Sequence, residues 1–137
     1  MFTPLSLSYL AIAHAELGQF DDAWRYIREA MSTTDATKER WSEAEVNRIA
    51  GEIAVRSPEP GVAKAEDYFE RALTIARAQQ AKSWELRAAM SMARLWRDQG
   101  KVREGRELLA PVYGWFTEGF DTRDLKEAKA LLVELAS

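Results

Sequence analysis

The sequence contains no cysteine and only one histidine, His14. No disulfide can therefore form, and a zinc site of the Cys/His type cannot be assembled. Lysine and arginine total 19 residues against 22 aspartates and glutamates, and the net charge is −3. A chain without an excess of basic residues lacks the field that attracts a phosphate backbone. We expect no metal and no nucleic-acid partner, and the absence of cysteine favours a cytoplasmic location.

Long hydrophobic runs are also missing. The longest stretch without a charged residue, residues 1–15, is interrupted by Ser6, Ser8 and His14. It is too short to span a bilayer, which takes about 20 residues, and it lacks the basic start of a signal peptide. We interpret it as the first helix of the fold, and we expect neither a membrane partner nor a targeting segment.

Motifs that carry catalytic chemistry are missing as well. The chain has no glycine-rich phosphate loop of the form GxxxxGK(S/T). His14 occupies a packing position of the repeat described below, so we expect a packed, hydrogen-bonded side chain rather than a catalytic one. We predict no catalytic, cofactor-binding or metal-binding residue and no enzymatic activity for this chain.

The sequence does contain an internal repeat. The repeat is a pattern of three positions that recurs at intervals of 42 and then 40 residues. Its first position is a small residue, its second is a large apolar residue four positions later, and its third, three positions after that, is small in two of the three copies. The three copies are Ala23, Ile27 and Ala30, then Ala65, Phe69 and Ala72, then Gly105, Leu109 and Val112. A fixed period of this length is typical of a solenoid built from stacked helix pairs.

Apolar periodicity and helix breakers predict one all-α domain over residues 1–137. We place repeat units at about 4–37, 39–80 and 82–116, and a capping helix at about 122–136, whose outer residues are charged. A polar connection is predicted at 32–38, and Ser57-Pro58-Glu59-Pro60-Gly61 breaks the second unit. The predicted architecture is a right-handed stack of three antiparallel helix pairs with a C-terminal capping helix.

Aligned on this register, the three units share a set of small and apolar positions. The aligned residues are Leu7, Leu10, Ala11, His14, Gly18, Phe20, Ala23, Ile27 and Ala30; Val46, Ile49, Ala50, Ile53, Ala65, Phe69 and Ala72; and Ala89, Met92, Ala93, Trp96, Gly100, Gly105 and Leu109. The set resembles the consensus of tetratricopeptide repeats, although the period exceeds the 34 residues of that family. The resemblance implies a protein-binding module whose first helices line a concave groove.

A second resemblance is carried by residues 83–89 (SWELRAA), 93–96 (ARLW) and 113–122 (YGWFTEGFDT). These segments are similar to the C-terminal helical-repeat region of large bacterial proteins that carry an adenylate/guanylate cyclase domain and a P-loop ATPase domain upstream. The resemblance covers about the last 100 residues and implies a regulatory or protein-binding role. None of the cyclase or ATPase residues falls within this chain.

The register places candidate groove residues on the first helices of the second and third units, namely Asn47, Arg87, Met90, Arg94 and Arg97. The three arginines lie seven and three residues apart and can share one helical face. They could hold peptide carboxylates through bidentate hydrogen bonds. The alternative is a solvated face in which the arginines pair with nearby Glu85 and Asp98.

The first helix carries apolar residues on a second stripe, which includes Leu5, Tyr9 and Ile12. An exposed apolar patch usually marks a partner surface. Either the chain forms a homodimer through this helix, or a further repeat precedes it in a longer protein. The aromatic residues Trp115 and Phe116, with Phe120, are a further candidate for a partner contact.

These observations favour a protein–protein interaction module that holds a peptide or helix of unknown identity in a concave groove. The alternative is a regulatory sensor that binds a small molecule and controls an attached or partner nucleotide cyclase or ATPase. An open, shallow groove favours the first hypothesis, and a discrete pocket with converging polar groups favours the second.

Overall fold

A computed structural model describes residues 2–58 and 61–136, and within those ranges it contains seven α-helices and no strand. The helices are α1 (Pro4–Glu16), α2 (Phe20–Thr37), α3 (Glu43–Arg56), α4 (Val62–Ala78), α5 (Lys82–Asp98), α6 (Val102–Gly114) and α7 (Arg123–Leu135). The all-α class expected from the sequence is confirmed. Of the predicted breaker between α3 and α4, Glu59 and Pro60 lie outside the described residues. No helix in the described ranges is both long and apolar enough to cross a membrane.

The ends of the first and last helices follow from local chemistry. The side chain of Thr3 accepts a hydrogen bond from the backbone N–H of Ser6 at 3.1 Å and caps α1, where Pro4 is the first helical residue. Gly18, with φ of +78°, allows the left-handed turn that follows α1. Thr122 caps α7 in the same way, because its hydroxyl accepts from the N–H of Leu125 at 3.4 Å.

The predicted polar connection at 32–38 is wrong, since α2 continues to Thr37. Thr34 explains the extension: it is buried, and its hydroxyl donates to the carbonyl oxygen of Ala30 at 3.0 Å. The hydroxyl is thereby satisfied inside the helix instead of competing with it. The helix ends only at Lys38, whose φ is +60°. The following helix, α3, begins at Glu43, four residues after the position 39 at which we expected the second unit to start.

Each of α1, α3 and α5 packs against the helix that follows it in the chain, and α1, α3, α5 and α7 also contact one another in that order. The repeated positions form the core of these contacts. Eight of them are buried apolar side chains, and the ninth, Gly105, is buried too. The small residues matter because they let helices approach closely. At Gly51, for example, an added Cβ would overlap the ring of the fully buried Phe69.

Candidate functional site

A row of side chains links the helices α1, α3, α5 and α7, and we call the side of these helices that carries it the first-helix face. A chain of polar contacts crosses it from helix to helix. The Tyr9 hydroxyl donates to Glu45 at 3.4 Å, and Glu45 accepts from Arg87 at 2.6 Å. Arg87 Nε lies 3.5 Å from the carboxylate of Asp124. One residue from each of the four helices therefore takes part.

Glu45 is the centre of this chain. Its side chain is fully buried, and Arg48 of the same helix donates to both of its oxygens, at 2.6 Å from Nε and 3.0 Å from Nη2. Arg87 adds a third charged donor from α5. Arg48 also donates to the hydroxyl of Ser91 at 3.2 Å and so ties α3 to α5 a second time. A buried carboxylate with this many donors is fully satisfied.

The electrostatics of Arg48 reflect its partner. Burial by itself lowers the pKa of the guanidinium, but the hydrogen bond to Glu45 and the charges of Glu45 and Glu52 outweigh that effect. The pKa of Arg48 is consequently raised above its ordinary value. Arg48 therefore stays charged beside Glu45.

Three arginines form a stripe along α5, and each faces a carboxylate of α7. Arg87 lies 3.5 Å from Asp124, Arg94 lies 3.6 Å from Glu127, and Arg97 lies 3.0 Å from Glu134. These side chains are about one-third to one-half exposed, so water competes for every pair. We call this set the α5/α7 arginine stripe.

The alternative interpretation paired the arginines with Glu85 and Asp98, and only Asp98 contacts one of them. Asp98 accepts a hydrogen bond from Arg97 at 3.0 Å, and this bond is the first cause of a raised pKa of Arg97. Glu85 instead contacts Arg77 and Lys82, at 3.2 and 3.3 Å, away from the stripe. The carboxylates of α7 were missing from that interpretation.

The other two candidate groove residues lie elsewhere. Met90 is 3% exposed and belongs to the hydrophobic core. Asn47 is also buried, and its amide donates to the carbonyl oxygen of Glu43 at 2.9 Å. It lines a small cavity of about 240 Å³ that α2, α3 and α4 share. The structure thus brings the three arginines together but not Asn47 or Met90 with them.

The candidate self-association residues of α1 are only partly free. Leu5 and Ile12 are half-buried, and Ile12 packs against the core cluster that contains Ala11 and Ile27. Tyr9 is exposed over 42% of its surface, with its hydroxyl directed to Glu45. Tyr9 thus belongs both to the apolar stripe of α1 and to the first-helix face.

The aromatic residues after α6 lie partly in solvent. Trp115 is 57% exposed, packs edge-on against Phe116 at 5.2 Å, and has the ammonium group of Lys82 5.3 Å from its ring. Phe120 packs on Tyr113 at 5.8 Å. Tryptophan is enriched at protein–protein interfaces, so the exposed ring of Trp115 remains a candidate partner contact.

His14 is stacked on Tyr26 at 5.2 Å, and its Nδ1 lies 2.6 Å from the side-chain oxygen of Gln19. This packed, hydrogen-bonded environment is the one expected from its repeat position. Within the described ranges, no cluster of histidine and carboxylate side chains is arranged to hold a metal ion.

Sequence reasoning missed Glu45 and Arg48, the two most buried charged members of the network. A signal was present, because Glu45 precedes Arg87 by 42 residues and Arg48 precedes Ser91 by 43. Both spacings are close to the repeat period. Polar residues at that interval on successive first helices lie opposite each other, so the repeat could have paired them.

No protein-family model matches the sequence, and the comparison with curated proteins gives no match. The arrangement itself therefore carries the functional argument. Arginine side chains in a row can bind carboxylates through charge-assisted hydrogen bonds. The buried Glu45 binds Arg87 at one end of the row, and exposed carboxylates of α7 pair with Arg94 and Arg97.

Proposed function

We propose that the chain is a protein-interaction module of the tetratricopeptide-like type, with three helix pairs in a right-handed solenoid and α7 as its capping helix. The 40–42-residue register and the ordered contacts of α1, α3, α5 and α7 support this architecture. Its ligand is a peptide or helix that presents carboxylates to the α5/α7 arginine stripe. The single observation behind this ligand class is the row of Arg87, Arg94 and Arg97 along α5, in which each side chain is about one-third exposed.

Binding would proceed by exchange of carboxylates. Exposed ion pairs contribute only about 0–1 kcal/mol each, so the pairs of Arg94 and Arg97 with α7 are easily released. Arg87 also pairs with the buried Glu45, and this contact keeps its guanidinium in one orientation while the ligand binds. A preorganised guanidinium loses less entropy when it binds a ligand. The ligand's carboxylates then take the places of Glu127 and Glu134.

The test is a peptide array probed with the labelled protein. The array contains 12-residue peptides of varied charge and apolar content, and the wild-type chain is compared with R94E/R97E. We expect the bound peptides to be enriched in Asp and Glu, and R94E/R97E to lose them. A matched control is R25E/R28E on α2, which reverses the same number of charges at the same spacing on another face. Equal loss in both variants, or hits without acidic residues, would contradict the proposal.

We also propose self-association through α1. The support is the partly exposed apolar stripe that contains Leu5 and Tyr9. Light scattering over a dilution series should show a dimer, and Leu5→Asp should convert it to a folded monomer. Leu17→Asp is the matched control, because Leu17 is 73% exposed and lies outside the stripe. A monomer at every concentration of the wild-type chain would exclude this dimer.

A further inference from the structure

The helix α7 carries a second stripe that points away from α5. The register between the two helices identifies it, since the pairs Arg87 with Asp124 and Arg97 with Glu134 both join residues 37 positions apart. The same shift carries Ala89, Met92, Ala93 and Trp96 of α5 onto four residues of α7. These four are Lys126, Lys129, Ala130 and Val133, and we call them the outer stripe of α7.

Each of the three earlier first helices packs on the helix that follows it in the chain, and the small position of this stripe is buried in all three. The alanines equivalent to Ala130 are Ala11, Ala50 and Ala93, and each is completely buried. At Ala93 the approach is close enough that a Cβ built on Gly105 of α6 would lie 3.2 Å from the Ala93 carbonyl oxygen. The repeat thus uses a small residue here to admit a second helix.

On α7 no described helix follows to pack over the same stripe. All four residues are exposed, Val133 over 63% of its surface, and within the described ranges α7 packs only against α5 and α6. The four residues of the stripe line an open pocket of about 820 Å³, together with Tyr113 and Phe120. The two aromatic rings and Val133 make the pocket largely apolar, and the two lysines bring positive charge to it.

We propose that the outer stripe of α7 and its pocket are the docking site for an amphipathic helix of a partner protein, which completes a fourth helix pair. The partner helix places a small residue on Ala130 and apolar residues on Tyr113, Phe120 and Val133. It places carboxylates beside Lys126 and Lys129. This site is distinct from the α5/α7 arginine stripe and does not depend on the function proposed for it.

Charge identifies the occupant. The second helices α2, α4 and α6 pack on apolar partners such as Ile49 and Met92, whereas the equivalent position on α7 is Lys129. In the described part of the chain neither Lys126 nor Lys129 has an ion-pair partner within 4 Å. A helix with an apolar stripe alone would leave two ammonium groups facing apolar surface, which is unfavourable. Acidic flanks satisfy both groups.

The chain itself supplies a probe with this chemistry. A labelled peptide of residues 20–37, the sequence of α2, carries the small and apolar register and has four acidic against two basic residues. It is titrated into the full chain and followed by fluorescence anisotropy and by circular dichroism at 222 nm. A free peptide of this length is only marginally helical, so docking as a helix should add helical signal. A peptide with Asn and Gln in place of Asp and Glu is the matched probe.

We expect saturable binding with a gain of helicity, about tenfold weaker for the neutral peptide and for K126E/K129E, as the loss of complementary charge predicts. Val133→Asp should weaken binding to a similar degree, whereas K101E, at the exposed lysine that precedes α6, should not. Absence of saturable binding, or equal binding by K126E/K129E, would overturn the proposal. So would concentration-dependent self-association that K126E/K129E abolishes, because the occupant would then be a second copy of this chain.

Discussion

Glu45 and Glu127 occupy equivalent roles at two junctions of the first-helix face. Each carboxylate faces one arginine of its own helix and one arginine of α5: Arg48 and Arg87 for Glu45, Arg123 and Arg94 for Glu127. The side chain of Glu45 is 0% exposed, whereas that of Glu127 is 41% exposed. The same chemistry is therefore buried between α3 and α5 and solvated between α5 and α7.

The difference sets what each junction can do. A buried carboxylate cannot be removed without leaving its arginines uncompensated in a region of low dielectric. A solvated one can be replaced by water at little cost. The junction between α3 and α5 is consequently a rigid support, and the junction between α5 and α7 is the place where another carboxylate can enter.

The largest expected effect comes from Glu45→Gln, which removes the charge at the buried junction. Arg48 and Arg87 are left without their shared partner, and an amide nitrogen faces them in place of an oxygen. We expect the free energy of unfolding to fall by about 3–5 kcal/mol, the usual cost of breaking a buried pair. Urea denaturation at pH 7 measures this fall. Glu127→Gln is the matched change at the solvated junction, and a similar loss in both variants would remove the distinction.

A pair of double-mutant cycles sharpens the same comparison. The first cycle removes Glu45 and Arg87 singly and together, and the second does so for Glu134 and Arg97. We expect a coupling energy near 2–3 kcal/mol for the buried pair, at the upper end of measured values, and about 0.2–1 kcal/mol for the exposed pair. The measured quantity is the free energy of unfolding of each of the variants and of the wild type. Equal coupling energies would contradict the roles assigned to the two junctions.

Salt should affect the stability of the two junctions to different degrees in the wild-type chain. Ions screen exposed charges far better than buried ones, so raising NaCl from 0.05 to about 1 M should act on α7 and leave α3 unchanged. We expect amide hydrogen exchange in α7 to become about two- to fivefold faster once its exposed pairs with α5 are screened. Exchange in α3 is the internal control. Equal acceleration in both helices would indicate a general effect of salt on the chain.

The fold could be predicted from the sequence further than the site could. The 42- and 40-residue spacings of Ala23, Ala65 and Gly105 identify buried positions, because only small residues let the helices approach. The end of α2 was mispredicted because threonine has a low helix propensity, which the burial of Thr34 overrides. Tertiary packing decides such cases, and a local pattern does not contain it.

The candidate site was predicted only in part. Arg87, Arg94 and Arg97 share a face because of their spacing on one helix, which is local information. Which carboxylates of α7 face these arginines depends on how α5 and α7 are aligned with each other, and the sequence of either helix alone does not specify that alignment. Glu45 was missed because a glutamate in an amphipathic helix is normally solvated, and its burial depends on the joint presence of Arg48 and Arg87.

The smallest effect concerns the pH dependence of the solvated junction. The hydrogen bond from Arg123, together with the charges of Arg123, Arg94 and Arg87, lowers the pKa of Glu127 below its ordinary value of 4.5. A carboxyl whose pKa is lower in the folded chain stabilises the fold above its unfolded-state pKa, and that stabilisation is lost as the pH falls through its folded-state pKa. The difference in unfolding free energy between the wild type and Glu127→Gln should thus be constant near pH 7 and should vanish in the acid range below pH 4.5. Urea titrations from pH 7 to well below pH 4.5 measure it, with Glu118→Gln as the control that removes one loop charge from a residue without an ion pair in the described part of the chain. A difference that persists unchanged into acid would mean that Glu127 stabilises α7 by packing, and not through its arginines.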